Sequence, residues 1–124
     1  MSRAARRRAT TESGAATAEL AMTLPLLAAL VLALVWLLTL SLAQMRLVDA
    51  ARETARGVAR GDGIGAAVSL GERVAPDGAV ITVEEGDPVV VRVRGQVSGP
   101  GGLLAFLPGA RLEAEAVAAA EPGG

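Results

Sequence analysis

A chain of 124 residues has room for one ordinary domain, and part of this one is an uninterrupted apolar run, so whatever folds in water is small. Its formal net charge of −1 gives no overall basic field, so nucleic acid is not expected as a partner. Cys and His are both absent, which excludes disulfides, thiolate metal sites and the common nucleophile and proton-shuttle arrangements; neither a catalytic role nor a cofactor is expected.

From Leu20 through Met45 there is no charged residue, and Leu24 to Leu42 is dominated by Leu, Ala and Val. As a helix this run reaches about 39 Å, more than the roughly 30 Å of a bilayer's hydrocarbon, so it crosses a membrane with tilt or overhang. A buried soluble helix is the competing reading, and apolar stretches this long without a charge are rare inside small soluble domains. Pro25 lacks an amide, which is harmless if the helix starts there and perturbs it if the helix starts earlier. Arg3, Arg6, Arg7 and Arg8 precede the run and favour a cytoplasmic N-terminus by the positive-inside bias, which puts the C-terminal part outside the cytoplasm. The expected location is therefore the inner (cytoplasmic) membrane, crossed once, with membrane lipid as a partner.

Past the run, Gln44 to Arg60 keeps a helical pattern through Met45, Val48, Ala51, Ala55 and Val58, so the helix is expected to continue out of the membrane. Asp49 with Arg52 and Glu53 with Arg56 form i,i+3 pairs on this extension, each worth about 0.2–0.5 kcal/mol on an exposed helix face. Gly61-Asp62-Gly63 breaks the helix, and Ile64 to Ala75 suits a second, short one. After the turn signal Pro76-Asp77-Gly78 the pattern changes to strands, at Ala79 to Glu84, Val89 to Val97 and Arg111 to Ala119, with Glu85-Gly86-Asp87-Pro88 as the first connection. The last strand alternates Leu112, Ala114, Ala116 and Ala118 against Arg111, Glu113 and Glu115. If the last two strands pair antiparallel, Arg92 and Arg94 lie across from Glu113 and Glu115.

Between those strands, Gly99 to Gly109 encloses Leu103, Leu104, Phe106 and Leu107 between Gly and Pro rims. Such a loop either tucks under the sheet or meets a lipid surface or a partner; a sheet faced with Val and Ala has little else to fill its core. The expected fold is α+β, a long N-terminal transmembrane helix extending into a small exported domain with a short helix and about three antiparallel strands. The expected divisions are 1–14 as a leader, 15–60 as the membrane helix with its amphipathic extension, 61–119 as the exported domain and 120–124 as a disordered tail. An exported part of about sixty residues is marginal as an isolated core, which argues for association.

The informative constellation is Gly14-Ala15-Ala16-Thr17-Ala18-Glu19, after an Arg-rich leader and directly before the apolar run. It resembles a type IV prepilin signal. In that family a membrane peptidase cuts after the glycine on the cytoplasmic side, so the resemblance implies Ala15 as the mature N-terminus and Glu19 as its fifth residue. A carboxylate at the edge of a membrane helix is costly unless compensated. The positive end of the helix dipole and the amine freed by cleavage on a neighbouring subunit would both compensate it, making Glu19 an intersubunit assembly determinant.

Glu19, Leu24 and Pro25, followed after the run by Asp49-Ala50-Ala51-Arg52-Glu53-Thr54-Ala55-Arg56, look like the TadE-like minor pilins, pseudopilins of the tight-adherence pilus machinery. The resemblance covers Gly14 to about Arg60 and carries Asp49, Arg52, Glu53 and Arg56 as its helix-extension motif. It implies a pilin-like fold, a prepilin peptidase, other pilus subunits and the assembly platform as partners, and no enzymatic activity. Ala15 stands where mature pilins often have a larger residue, and Leu20 where an aromatic often follows the glutamate. An unprocessed single-span anchor presenting a small extracytoplasmic binding domain is the alternative. A domain secreted after Ser41-Leu42-Ala43 is a third reading, whose apolar region exceeds the usual 7–15 residues of a secretory signal.

Overall fold

The computed structural model describes residues 3–98 and 109–119. Five elements follow one another: α1 (Arg3–Ala59), α2 (Ile64–Val74), β1 (Val80–Glu84), β2 (Val89–Val97) and β3 (Ala110–Ala118). They fall into two units, one up to Val35 and one from Trp36 onward. The fold class is the expected α+β, with a long apolar N-terminal helix, a short second helix and a three-stranded antiparallel sheet. The loop containing Leu103, Leu104, Phe106 and Leu107, and the tail at 120–124, lie outside the described residues.

In the first unit α1 is exposed on all sides, with Leu24, Leu26 and Val31 all more than half accessible. An 18-residue window of this helix has a mean hydropathy of 2.6 and is 6% buried, long and apolar enough for a single membrane span. A helix that is apolar all round has no water-facing side, unlike the one-sided helix of a soluble domain. Pro25 lies inside α1, so the helix starts well before it and the carbonyl of Ala21 loses its i+4 donor. The Thr23 hydroxyl donates to the Glu19 carbonyl at 2.7 Å and, further along the helix, Ser41 to that of Leu37 at 2.9 Å, so these two hydroxyls are satisfied within the helix.

In the second unit the C-terminal part of α1 buries one face against the sheet. That face runs through Ala43, Leu47, Ala50, Ala51, Thr54 and Ala55, with Val48 and Val58 at its margin. The expected stripe had Met45 at its head; Met45 is 62% exposed, and Leu47, which the stripe omitted, is fully buried. The difference is physical: the helix presents two adjacent i,i+4 ridges to the sheet, Ala43-Leu47-Ala51-Ala55 and Ala50-Thr54-Val58, and the expected stripe sampled each only in part. From the sheet come Val89, Val91, Val93 and Ala114, with Ile81, Val83 and Leu112 packed at the edge of the cluster.

The strand order is β1-β2-β3, antiparallel throughout. Val91 sits opposite Ala116 and Val93 opposite Ala114, so large and small side chains alternate on the inner face. The outer face carries the expected ionic row: Arg92 lies opposite Glu115 and Arg94 opposite Glu113. Both pairs are closed, at 3.0 Å and 3.7 Å, and Arg92 also reaches Glu84 of β1 at 3.1 Å. The hydrogen bond that Arg92 donates to Glu115, then the charges of Glu84 and Glu115, hold the Arg92 guanidinium above its usual range.

The Gly61 break is a Schellman motif. Gly61 adopts φ 83°, its amide donates to the Val58 carbonyl at 3.0 Å, and the Asp62 amide donates to Gly57 at 3.1 Å. Arg60 then grips the Asp62 carboxylate at 2.9 Å. Helix α2 lies so close to α1 that a Cβ on Gly57 would come within 2.8 Å of the Ala67 Cβ. The Pro76 turn closes with the Ala79 amide on the Pro76 carbonyl at 3.1 Å and Gly78 at φ 79°.

Candidate functional site

Gly14, Ala15 and Glu19 all lie on α1 and all are exposed. Ala15 and Glu19 are one turn apart on the same helix face, about 6 Å along the axis. A Cβ added to Gly14 would meet nothing within 4 Å, so the fold has no packing need for glycine there. A glycine inside an exposed helix costs about 1 kcal/mol relative to alanine. Among the described residues no cation forms an ion pair with Glu19. Ahead of it, Arg3, Arg6 and Arg7 share one stretch of helix surface with Thr11, whose hydroxyl donates to the Arg7 carbonyl at 2.8 Å.

The four residues of the extension motif lie along one stretch of α1. Glu53 and Arg56 form the expected i,i+3 pair at 3.1 Å. Asp49 and Arg52 make no ion pair among the described residues, which corrects the second expected pair: both side chains are exposed, and holding two long side chains in one geometry there costs as much as it returns. Instead Asp49, Arg52 and Arg56 line a groove of about 370 Å³ whose opposite wall is Ala116, Val117 and Ala118 of β3. The periodicity of the motif placed these charges on a solvated helix surface; that they flank a strand required the sheet's position.

A second groove, of about 330 Å³, lies between α1 and the end of β2 and has Arg46 on its rim. Arg46 is the first charged residue after the apolar run. At this level the Gln44 side-chain amide donates to the Glu113 backbone carbonyl at 3.2 Å, tying β3 to the helix.

A family model described as TadE-like protein matches residues 14–56. This segment is TadE-like. The resemblance read from Gly14, Glu19 and the Asp49-to-Arg56 motif is borne out over this stretch. The TadE-like segment starts at Gly14, lies entirely on α1 and ends at Arg56, so it covers about a third of the chain and leaves α2 and the sheet outside it. No match was found among curated proteins, and none among solved structures.

Proposed function

We propose that this chain is a minor pilin or pseudopilin that takes part in assembling a Tad-type (Flp) type IV pilus at the cell envelope. A prepilin peptidase cuts between Gly14 and Ala15, and Glu19 then pairs with the new terminal amine of a neighbouring subunit. The observation that carries this reading is the position of Glu19. It is the last charged residue before the apolar run, five positions after a glycine that the fold itself does not need, and the TadE-like match begins at that same glycine.

The chemistry is one of assembly. With the leader removed, the positive end of α1 and a free ammonium group both lie within one helical turn of the Glu19 carboxylate. A carboxylate drawn toward hydrocarbon needs a cation, and a second subunit supplies one. The leader with Arg3, Arg6, Arg7 and Arg8 stays on the cytoplasmic side, and the unit from Trp36 onward emerges on the other. Its partners are then other pilus subunits and the assembly platform, and its role is structural.

Intact mass of the native protein tests this reading. Loss of residues 1–14 in cells that contain a prepilin peptidase, and their retention in cells without it, is the expected result. A polypeptide that keeps those residues in both strains would leave the unprocessed single-span anchor as the surviving reading.

A further inference from the structure

We infer that the groove between α1 and the end of β2 seats the headgroup of an anionic phospholipid from the membrane that α1 crosses, with Arg46 on its phosphate. This rests on the membrane span alone and holds whether or not the chain is cut after Gly14.

The first observation concerns depth. The charge-free run extends from Leu20 to Met45, yet its last turns belong to the folded unit: Thr39 and Leu40 are half-buried and Ala43 is buried. Leu20 to Leu38 accounts for about 28 Å of helix, close to the roughly 30 Å of hydrocarbon. Trp36, the chain's only tryptophan, then falls at the boundary that indole side chains prefer. The turns from Thr39 to Arg46 rise about 10 Å further, which spans the headgroup layer. This stretch still shows Leu42 and Met45, 52% and 62% exposed, as suits an apolar surface against lipid.

The second observation is the lining. Leu42, Pro76 and Val97 make apolar walls, Gln96 and Ser98 offer polar groups, and Arg46 is the one charged residue among the described residues lining the groove. No ion pair within the described residues engages Arg46. On the same helix Asp49 follows Arg46 by one turn; on the sheet Arg94 and Glu113 pair with each other, Arg111 lies beside Glu113 on β3, and Asp77 is in the turn before β1. An exposed guanidinium over apolar walls at headgroup depth fits a phosphodiester with the first methylenes of its acyl chains.

Two measurements on the full chain decide it. Nanodiscs containing both phosphatidylcholine and phosphatidylglycerol serve for native mass spectrometry of the released protein. Retained phosphatidylglycerol should exceed retained phosphatidylcholine, and Arg46→Gln should reduce the excess about fivefold, the effect of removing one basic side chain from an anionic surface. Equal retention of both lipids, or an unchanged excess in the variant, overturns the inference. Because the chain has no cysteine, Ser98→Cys carries a single spin label into vesicles of the same lipids. The label should show headgroup depth by its relative exposure to oxygen and to a water-soluble nickel chelate. Full exposure to the chelate places the groove in water, and shielding from both agents means that residues 99–108 or a second copy of the chain fill it; either result defeats the inference.

Discussion

Gly71 of α2 stands directly over the Thr54 hydroxyl of α1, and a Cβ on residue 71 would overlap that oxygen. The same Cβ would lie 2.9 Å from the Ile81 Cδ1 and 3.1 Å from the Ala50 carbonyl oxygen, so α1, α2 and β1 converge on one hydrogen atom. Gly71→Ala is expected to destabilise the folded unit by about 2 kcal/mol, the usual cost of forcing one carbon into a filled site. Thermal unfolding of the detergent-solubilised chain, followed by circular dichroism, measures it. Adding Thr54→Ala should restore part of the loss, because it removes the atom most overlapped; no recovery would put the clash elsewhere.

Thr54 has a property of its own. Its hydroxyl is buried and, among the described residues, has no hydrogen-bond partner. Replacing it with a methyl of the same shape removes an unmet desolvation cost, so Thr54→Val should raise stability by about 1 kcal/mol. A loss of stability in the same unfolding experiment would mean that the hydroxyl is bonded.

Leu47 is fully buried and its Cδ2 lies 3.1 Å from where a Cβ on Gly95 would stand, so the leucine rests on the bare backbone of β2. Leu47→Ala should cost about 3 kcal/mol, combining lost burial with a cavity that the flanking strand cannot fill. Met45→Ala, on the exposed side of the same helix, should change stability by less than about 0.5 kcal/mol. Equal effects from the two substitutions would contradict the helix orientation.

On the outer face, Arg92 meets two carboxylates while Arg94 meets one, at a longer distance. Arg92→Gln should therefore lower the melting temperature more than Arg94→Gln, and the gap should narrow at high salt as surface charges are screened. A gap that persists at high salt would assign the difference to packing of the arginine stem.

Glu19→Ala is expected to leave membrane insertion intact, since it only makes the helix more apolar, while reducing co-purification with other pilus components. Quantitative pull-down from the native membrane measures this. Unchanged complex formation would remove the pairing role, and a loss of insertion would make Glu19 a targeting residue.

Much of this fold is local enough to be written in short stretches of chain. Val89 to Val97 is rich in valine and bounded by Pro88 and the Gly-Pro segment after Ser98, and β2 spans those same residues. Gly61 and Gly78 announced the ends of α1 and of the turn before β1, because both positions adopt a left-handed backbone. The face of α1 against the sheet was harder to read, since Ala43 to Val58 has apolar residues at almost every angle and only the sheet's position selects among them. Gly71 gave no advance signal for a different reason: a lone glycine inside a helix reads as a weakness until its neighbour across the gap is known. For the candidate site, Gly14 and Glu19 were legible from their place at the head of the apolar run. The Arg46 groove was not, because its other wall comes from residues about fifty positions away.

The ionic row and the valines beneath it specify one alignment of the hairpin twice over. Sliding β3 by a single position would set Arg92 opposite an alanine, Ala114 or Ala116, and would turn the small side chains that fit against Val91 and Val93 toward water. Charge on one surface and shape on the other would fail together, so a misaligned intermediate keeps neither contribution. For a head this small, with few side chains to correct a wrong start, that redundancy acts as proofreading built into the hairpin.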